Sequence, residues 1–124
     1  MKSRASTTLA WLLFVACATA EGPPAGDTRQ PVSTEAVIVN HSWSDVRIYV
    51  ARGGSRDLLG FVTSGSIQRF ALDPDMVRAT SLKLVADPVG ATTVLESDLF
   101  VLRSGDVVEW TIRQRPENSS IVVY

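Results

Sequence analysis

The stretch that decides the fold is Asp45 to Val62, DVRIYVARGGSRDLLGFV. Val46, Ile48 and Val50 alternate with Arg47, Tyr49 and Ala51. Successive side chains of a strand point to opposite faces, so one face is branched-aliphatic and the other carries charge and a phenol. That pattern predicts a half-buried β-strand. Gly53-Gly54 follows, and glycine supplies the positive φ that a tight hairpin turn needs. Leu58-Leu59-Gly60-Phe61-Val62 is apolar on both faces, which places the returning strand either mid-sandwich or along a partly covered edge. Ser64-Gly65-Ser66 turns the chain back again.

Outward from this hairpin the pattern repeats. Ala36–Asn40 precedes it, ended by Asn40-His41-Ser42-Trp43-Ser44. Ser66–Leu72 follows, then Asp73-Pro74-Asp75, whose proline favours a turn or one helical turn through Met76-Val77-Arg78. Ser81–Ala86 puts Leu82, Leu84 and Ala86 inward, and Asp87-Pro88-Val89-Gly90 turns the chain. Thr92–Leu102 is a longer extended stretch broken near Ser97-Asp98. In Val107–Arg113, Val108, Trp110 and Ile112 face one way and Glu109, Thr111 and Arg113 the other. Ile121-Val122-Val123-Tyr124 is apolar enough for a last edge strand. Seven or eight short strands without a helix-period segment predict an all-β fold. The expected form is a small antiparallel β-sandwich, immunoglobulin-like or transthyretin-like, over residues 36–124. Trp110 and Phe70 are the expected core aromatics.

Met1 to Ala20 is a targeting segment. Lys2 and Arg4 precede an apolar core, Leu9 to Ala18, which is too short to span a bilayer needing about 20 residues. Two cleavages compete. Ala18-Thr19-Ala20 suits ordinary signal peptidase, making residues 1–20 the signal and the product soluble, whether secreted or periplasmic. Phe14-Val15-Ala16-Cys17 resembles the lipobox of bacterial lipoproteins, with Phe14 where leucine is preferred, making residues 1–17 the signal peptide and Cys17 the site of lipid attachment. Cys17 is the single cysteine of the chain. It therefore has no internal disulfide partner, and a lone thiol in an oxidising compartment needs a reason. Acyl chains add about 0.8 kcal/mol per buried methylene, so several on one cysteine anchor durably. Ala18 is not the aspartate that lipoproteins of this kind use for inner-membrane retention. The expected address is the cell envelope, lipid-anchored at the outer membrane on its periplasmic or surface face. Residues 18–35, rich in Gly and Pro with little to bury, read as a flexible tether reaching about 20–25 Å.

Val39-Asn40, Val46-Arg47-Ile48-Tyr49, Gly54-x-Arg56-x-x-Leu59-Gly60, Ala86-Asp87-Pro88-x-Gly90 and Ser104-Gly105-Asp106-Val107-Val108-Glu109 form a combination. Over Val37 to Ile112 it resembles small uncharacterised secreted or lipid-anchored proteins of environmental bacteria. The resemblance implies an envelope-located β-domain and brings no assigned activity. Gly105 to Thr111 also resembles the strand that opens the copper half of cupredoxins. Those sites need two histidines and a cysteine. This chain has one histidine, His41, and its cysteine lies at the signal junction. The copper expectation fails, and no metal or cofactor is expected.

Other chemistry finds little footing. A serine or cysteine nucleophile needs an adjacent base, and His41 reads as a loop residue. Asp73/Asp75 and Glu96/Asp98 are the carboxylate pairs. They suit an acid–base pair or a weak calcium site only if they converge; Asp73-Pro74-Asp75 is more simply turn chemistry. Asn40-His41-Ser42 and Asn118-Ser119-Ser120 read as chance sequons. The chain carries 12 basic and 13 acidic residues. Loss of Lys2 and Arg4 leaves it mildly acidic, which argues against a nucleic-acid partner.

The favoured function is thus a non-catalytic envelope lipoprotein, a structural or interaction domain for a protein or glycan partner. Trp43, Arg47 and Tyr49 are its candidate ligand-binding residues, since an aromatic–arginine patch can stack on a sugar ring or peptide. A carbohydrate- or peptide-binding module is the alternative, and a hydrolase on the acidic loops a distant third. No edge strand is marked in the sequence as open to a partner's strand.

Overall fold

The computed structural model describes residues 32–78 and 81–124. The signal segment, Cys17 and most of the tether lie outside them. In chain order the elements are β1 (Glu35–Asn40), β2 (Val46–Arg52), β3 (Ser55–Val62), β4 (Ile67–Ala71), α1 (Pro74–Val77), β5 (Lys83–Pro88), β6 (Leu95–Glu96), β7 (Val107–Ile112), a 3-10 turn at Pro116–Asn118 and β8 (Ser120–Val123). They form two four-stranded sheets, β4-β1-β7-β8 and β3-β2-β5-β6. This is a small all-β sandwich.

The alternation read from the sequence sets the facing. Val46, Ile48 and Val50 of β2, Leu84 and Ala86 of β5, and Val108, Trp110 and Ile112 of β7 meet in one core with Ala36 and Ile38 of β1. Trp110 is its largest side chain and is 2% exposed. Phe70 is half-buried at the open side between β3 and β4, where its ring lies under Gly60. A Cβ at Gly60 would come within 2.7 Å of the Phe70 ring. The β2–β3 turn places Gly53 and Gly54 at φ 49° and 88°.

Several elements differ from the sequence expectation. β1 and β7 run parallel, with Glu35 opposite Val107 and Asn40 opposite Ile112. The chain crosses between the sheets after β1, β3, β4 and β6. These neighbours are therefore not consecutive, and no hairpin dictates their direction. β3 is an edge strand with a bulge: Ile48 faces Gly60 and Tyr49 faces Leu58, leaving Leu59 unpaired. An extra residue of this kind turns a simple alternation into a run apolar on both faces. The extended stretch after Thr92 shrinks to Leu95–Glu96 because Ser97 takes over the ladder. Its hydroxyl accepts the Leu84 N–H at 2.9 Å and donates to the Asp98 carbonyl at 2.8 Å. Pairing resumes at one bridge, Leu82 to Phe100.

The folded unit also begins earlier than residue 36. Thr34 is buried; its hydroxyl accepts the Gly105 N–H at 2.9 Å, and its carbonyl accepts the Leu72 N–H at 2.8 Å. The last part of the expected tether is therefore part of the fold.

Asn40 is fully buried at the other end of β1. Its Nδ2 donates to the carbonyls of Ser44 (2.9 Å) and Val62 (3.2 Å), and its Oδ1 accepts from the Ser42 N–H (3.0 Å) and hydroxyl (2.6 Å). Its backbone exchanges bonds with Ser66 and Gly65. The amide thus ties the β1–β2 crossing to the end of β3 and the β3–β4 turn. An amide nitrogen so engaged cannot carry a glycan in the folded chain, which gives Asn40-His41-Ser42 a structural role.

Three substitutions probe these contacts. Trp110→Ala lowers unfolding free energy by about 3–5 kcal/mol, read by denaturant melts. Asn40→Ala leaves the buried Val62 carbonyl and the part-buried Ser44 carbonyl and Ser42 N–H without this partner and costs about 2 kcal/mol. Asn40→Asp aims a carboxylate at the carbonyls of Ser44 and Val62, which raises that group's folded pKa above its unfolded value. Its deficit relative to wild type is therefore smallest in acid and grows as pH rises above about 4.

Candidate functional site

The strand directions give the sandwich two distinct ends. At one, the chain enters through Val32 to Thr34, beside α1 and the β2–β3 turn; Arg52 Nη1 donates to the Asp75 carbonyl there at 3.1 Å. At the far end lie the β1–β2 loop, the β3–β4 turn, the end of β5 and the loop after β7. Val89 N–H donates to the Asp45 carbonyl (2.8 Å) and His41 N–H to the Ile112 carbonyl (2.8 Å).

Trp43 sits at the tip of the far-end loop and is 83% exposed. It is displayed there rather than folded down as a cover. Its backbone is nonetheless fixed. Asn40 grips Ser42 on one side and Ser44 on the other, and the Trp43 N–H donates to Gln114 Oε1 at 3.1 Å. Ser64 adds two bonds: its hydroxyl donates to the Ser42 carbonyl (2.7 Å) and its N–H to Asp45 Oδ1 (2.9 Å). A large apolar side chain on a loop tied at five neighbouring points is held ready for a contact, because little backbone entropy remains to be lost on binding. Gln114, which steadies Trp43 from 71 positions away, is invisible to a reading of local sequence.

Arg47 and Tyr49 are elsewhere. Both project from the outer face of the β3-β2-β5-β6 sheet, while Trp43 stands on the connection that precedes it. Arg47 lies between two cross-strand neighbours: Nη1 is 3.1 Å from Asp87 Oδ2, and the guanidinium carbon is 5.8 Å from the Phe61 ring centroid. The pairing is the one its register dictates, Phe61 on one side and Asp87 on the other. Tyr49 is half-buried between Leu58 and Val85 in the next row, which leaves Val85 1% exposed although it faces outward. This row is sheet-surface packing of the kind that stabilises strand pairs. The three candidate residues therefore do not form one patch.

The carboxylate pairs do not converge. Asp73 caps α1, its Oδ1 accepting the Asp75 N–H at 2.8 Å, and Asp75 lies 3.7 Å from the Arg78 guanidinium. Glu96 and Asp98 border a separate polar cleft of about 230 Å³ with Glu117, Ser97 and Trp110. Glu96 is held below the ordinary glutamate range, first by the hydrogen bond from Lys83 Nζ (2.8 Å) and then by the charges of Lys83 and, more weakly, Arg56. A second cavity of about 420 Å³ lies at the entry end against Val32, Thr34, Leu72, Pro74, Val77 and Arg78. Among the described residues no three His, Cys, Asp or Glu side chains are placed to share a metal ion. No helix there is long and apolar enough to cross a membrane. Cys17 lies outside the described residues.

No protein-family model matches the chain, and no curated protein is similar to it. A solved structure, the NMR structure of the protein from Eubacterium rectale, is similar at 16% identity over 81% of this chain and 92% of its own, with a TM-score of 0.48.

The Lys83–Glu96 pair has a checkable sign. With its folded pKa lowered, Glu96 contributes stability above the ordinary glutamate value, and that contribution disappears as pH falls through the lowered one. In an NMR pH titration the Glu96 midpoint lies below that of an unpaired glutamate, and Lys83→Met moves it back up.

Proposed function

We propose that the chain is a non-catalytic interaction domain of the cell envelope, lipid-anchored through Cys17 and held off the membrane by the segment before Val32. The observation that carries the binding role is Trp43, 83% exposed on a loop tied down by Asn40, Gln114 and Ser64. An exposed aromatic ring on a fixed backbone suits stacking against a sugar ring or a peptide side chain. Trp43 also stands at the end of the sandwich opposite Val32 to Thr34. The lipid anchor rests on the lipobox-like Phe14-Val15-Ala16-Cys17.

A carbohydrate- or peptide-binding module is the sharper form of this proposal, with Trp43 rather than Arg47 or Tyr49 at its centre. Arg47 already has an ionic partner and an aromatic one, and Tyr49 is taken up between strands.

Two measurements test the parts separately. Membrane fractionation of wild type against Cys17→Ser, with mass analysis of the mature N-terminus, should give an acylated chain beginning at Cys17; an unlipidated chain beginning at Glu21 overturns the anchor. Glycan and peptide arrays should give a signal that Trp43→Ala removes and Arg47→Ala leaves in place. Arrays without a Trp43-dependent signal overturn the binding site.

A further inference from the structure

Each sheet has two edges, and an exposed edge invites pairing with another chain unless it is blunted. Three of the four are blunted here. β3 carries a bulge and the charges of Arg56 and Asp57. β6 is two residues long. β4 directs the backbone groups of Ile67, Arg69 and Ala71 outward, because those of Gln68 and Phe70 face β1 in the ladder continued by the Asn40–Ser66 and Leu72–Thr34 bonds. Self-pairing of β4 would set Arg69 against its own copy, and like charges directly opposite destabilise a strand pair.

β8 has none of these devices. Ser120-Ile121-Val122-Val123-Tyr124 contains no charged side chain, proline or glycine. Val107 and Tyr124 exchange both backbone bonds, at 2.8 and 3.0 Å. By the alternation of an antiparallel ladder, Val122 and Ser120 also bond toward β7, while the N–H and C=O of Ile121 and Val123 point away from it. Among the described residues those four groups have no backbone or side-chain partner. Val122 and Tyr124, 55% and 64% exposed, stand on the outer face beside this edge.

The free groups are self-complementary. We infer that β8 pairs antiparallel with β8 of a second copy of this chain about a two-fold axis through Val122. Ile121 of each copy exchanges both bonds with Val123 of the other, which satisfies all four outward groups in each chain. Val122 meets its own copy as a non-hydrogen-bonded pair, and Ser120 lies opposite the other copy's Tyr124. The two β4-β1-β7-β8 sheets then join into one eight-stranded sheet. The nearest charges before the strand, Arg115 and Glu117, are of opposite sign, so the two loops do not repel. A contact of this size makes a concentration-dependent dimer rather than an obligate one.

The register makes the test specific. In a non-hydrogen-bonded antiparallel pair the Cα atoms are about 4.5 Å apart, within the span a disulfide bridges. The full chain carrying Val122→Cys should form a 122–122 disulfide under mild oxidation, identified by peptide mass. Ser120→Cys should not link to itself, because its copies lie four residues out of register. Sedimentation of the wild type across a concentration series should show a monomer–dimer equilibrium. Val122→Lys should shift it to monomer with an unchanged melting midpoint, since that side chain is exposed. A wild type that stays monomeric throughout the series overturns the proposal, as do Ser120→Cys and Val122→Cys chains that link equally fast.

Discussion

One buried amide sets the geometry of the far end of this sandwich. The chain leaves one sheet for the other at the end of β1 and comes back between β3 and β4, and both crossings expose backbone groups that no ladder satisfies. Asn40 supplies the missing partners for Ser42, Ser44 and Val62 with one side chain, while its own backbone serves Gly65 and Ser66. A buried polar group costs free energy unless each of its bonds is made, and a fully satisfied network fixes one arrangement against all others. Among the described residues every buried side-chain polar atom has a partner. The sheets supply the apolar attraction, and Asn40 specifies how their ends are joined.

That constraint bears directly on what the far end can do. Ser42 and Ser44 are held from inside the protein, so Trp43 between them is presented on a fixed frame even though its ring is in water. The outer face of the β3-β2-β5-β6 sheet is organised differently. There Phe61, Arg47 and Asp87 fill one row and Leu58, Tyr49 and Val85 the next, each side chain answering a cross-strand neighbour. Aromatic and basic residues occur in both places. What separates them is whether a side chain's partners lie within the fold.

The parts of this structure legible in the sequence are those written in local periodicity. β2 and β7 announce their inward faces by strict alternation, and Gly53-Gly54 announces the hairpin turn. Trp110 is buried as that pattern requires, whereas Phe70, expected in the core, is only half-buried against it on a largely exposed β4. What escaped depends on residues distant in the chain. The parallel pairing of β1 with β7 leaves no mark on either strand. Thr34 looks like tether until Gly105, 71 positions on, donates to it. Asn40 reads as a turn residue and a sequon until its burial is known. Trp43, Arg47 and Tyr49 are close in sequence, yet Trp43 stands on the bend between β1 and β2 while Arg47 and Tyr49 lie on the outer face of β2. The Leu58–Val62 run was ambiguous for a physical reason, since a bulge at Leu59 breaks the alternation that would have assigned its faces.

If the buried Asn40 network holds the Trp43 loop as rigidly as the strands it joins, backbone ¹⁵N relaxation will show it. Order parameters at Ser42, Trp43 and Ser44 should match those of β2 and β7, near the value of about 0.85 typical of rigid backbone. Values below about 0.6 at these three positions, with the strands still rigid, would contradict it.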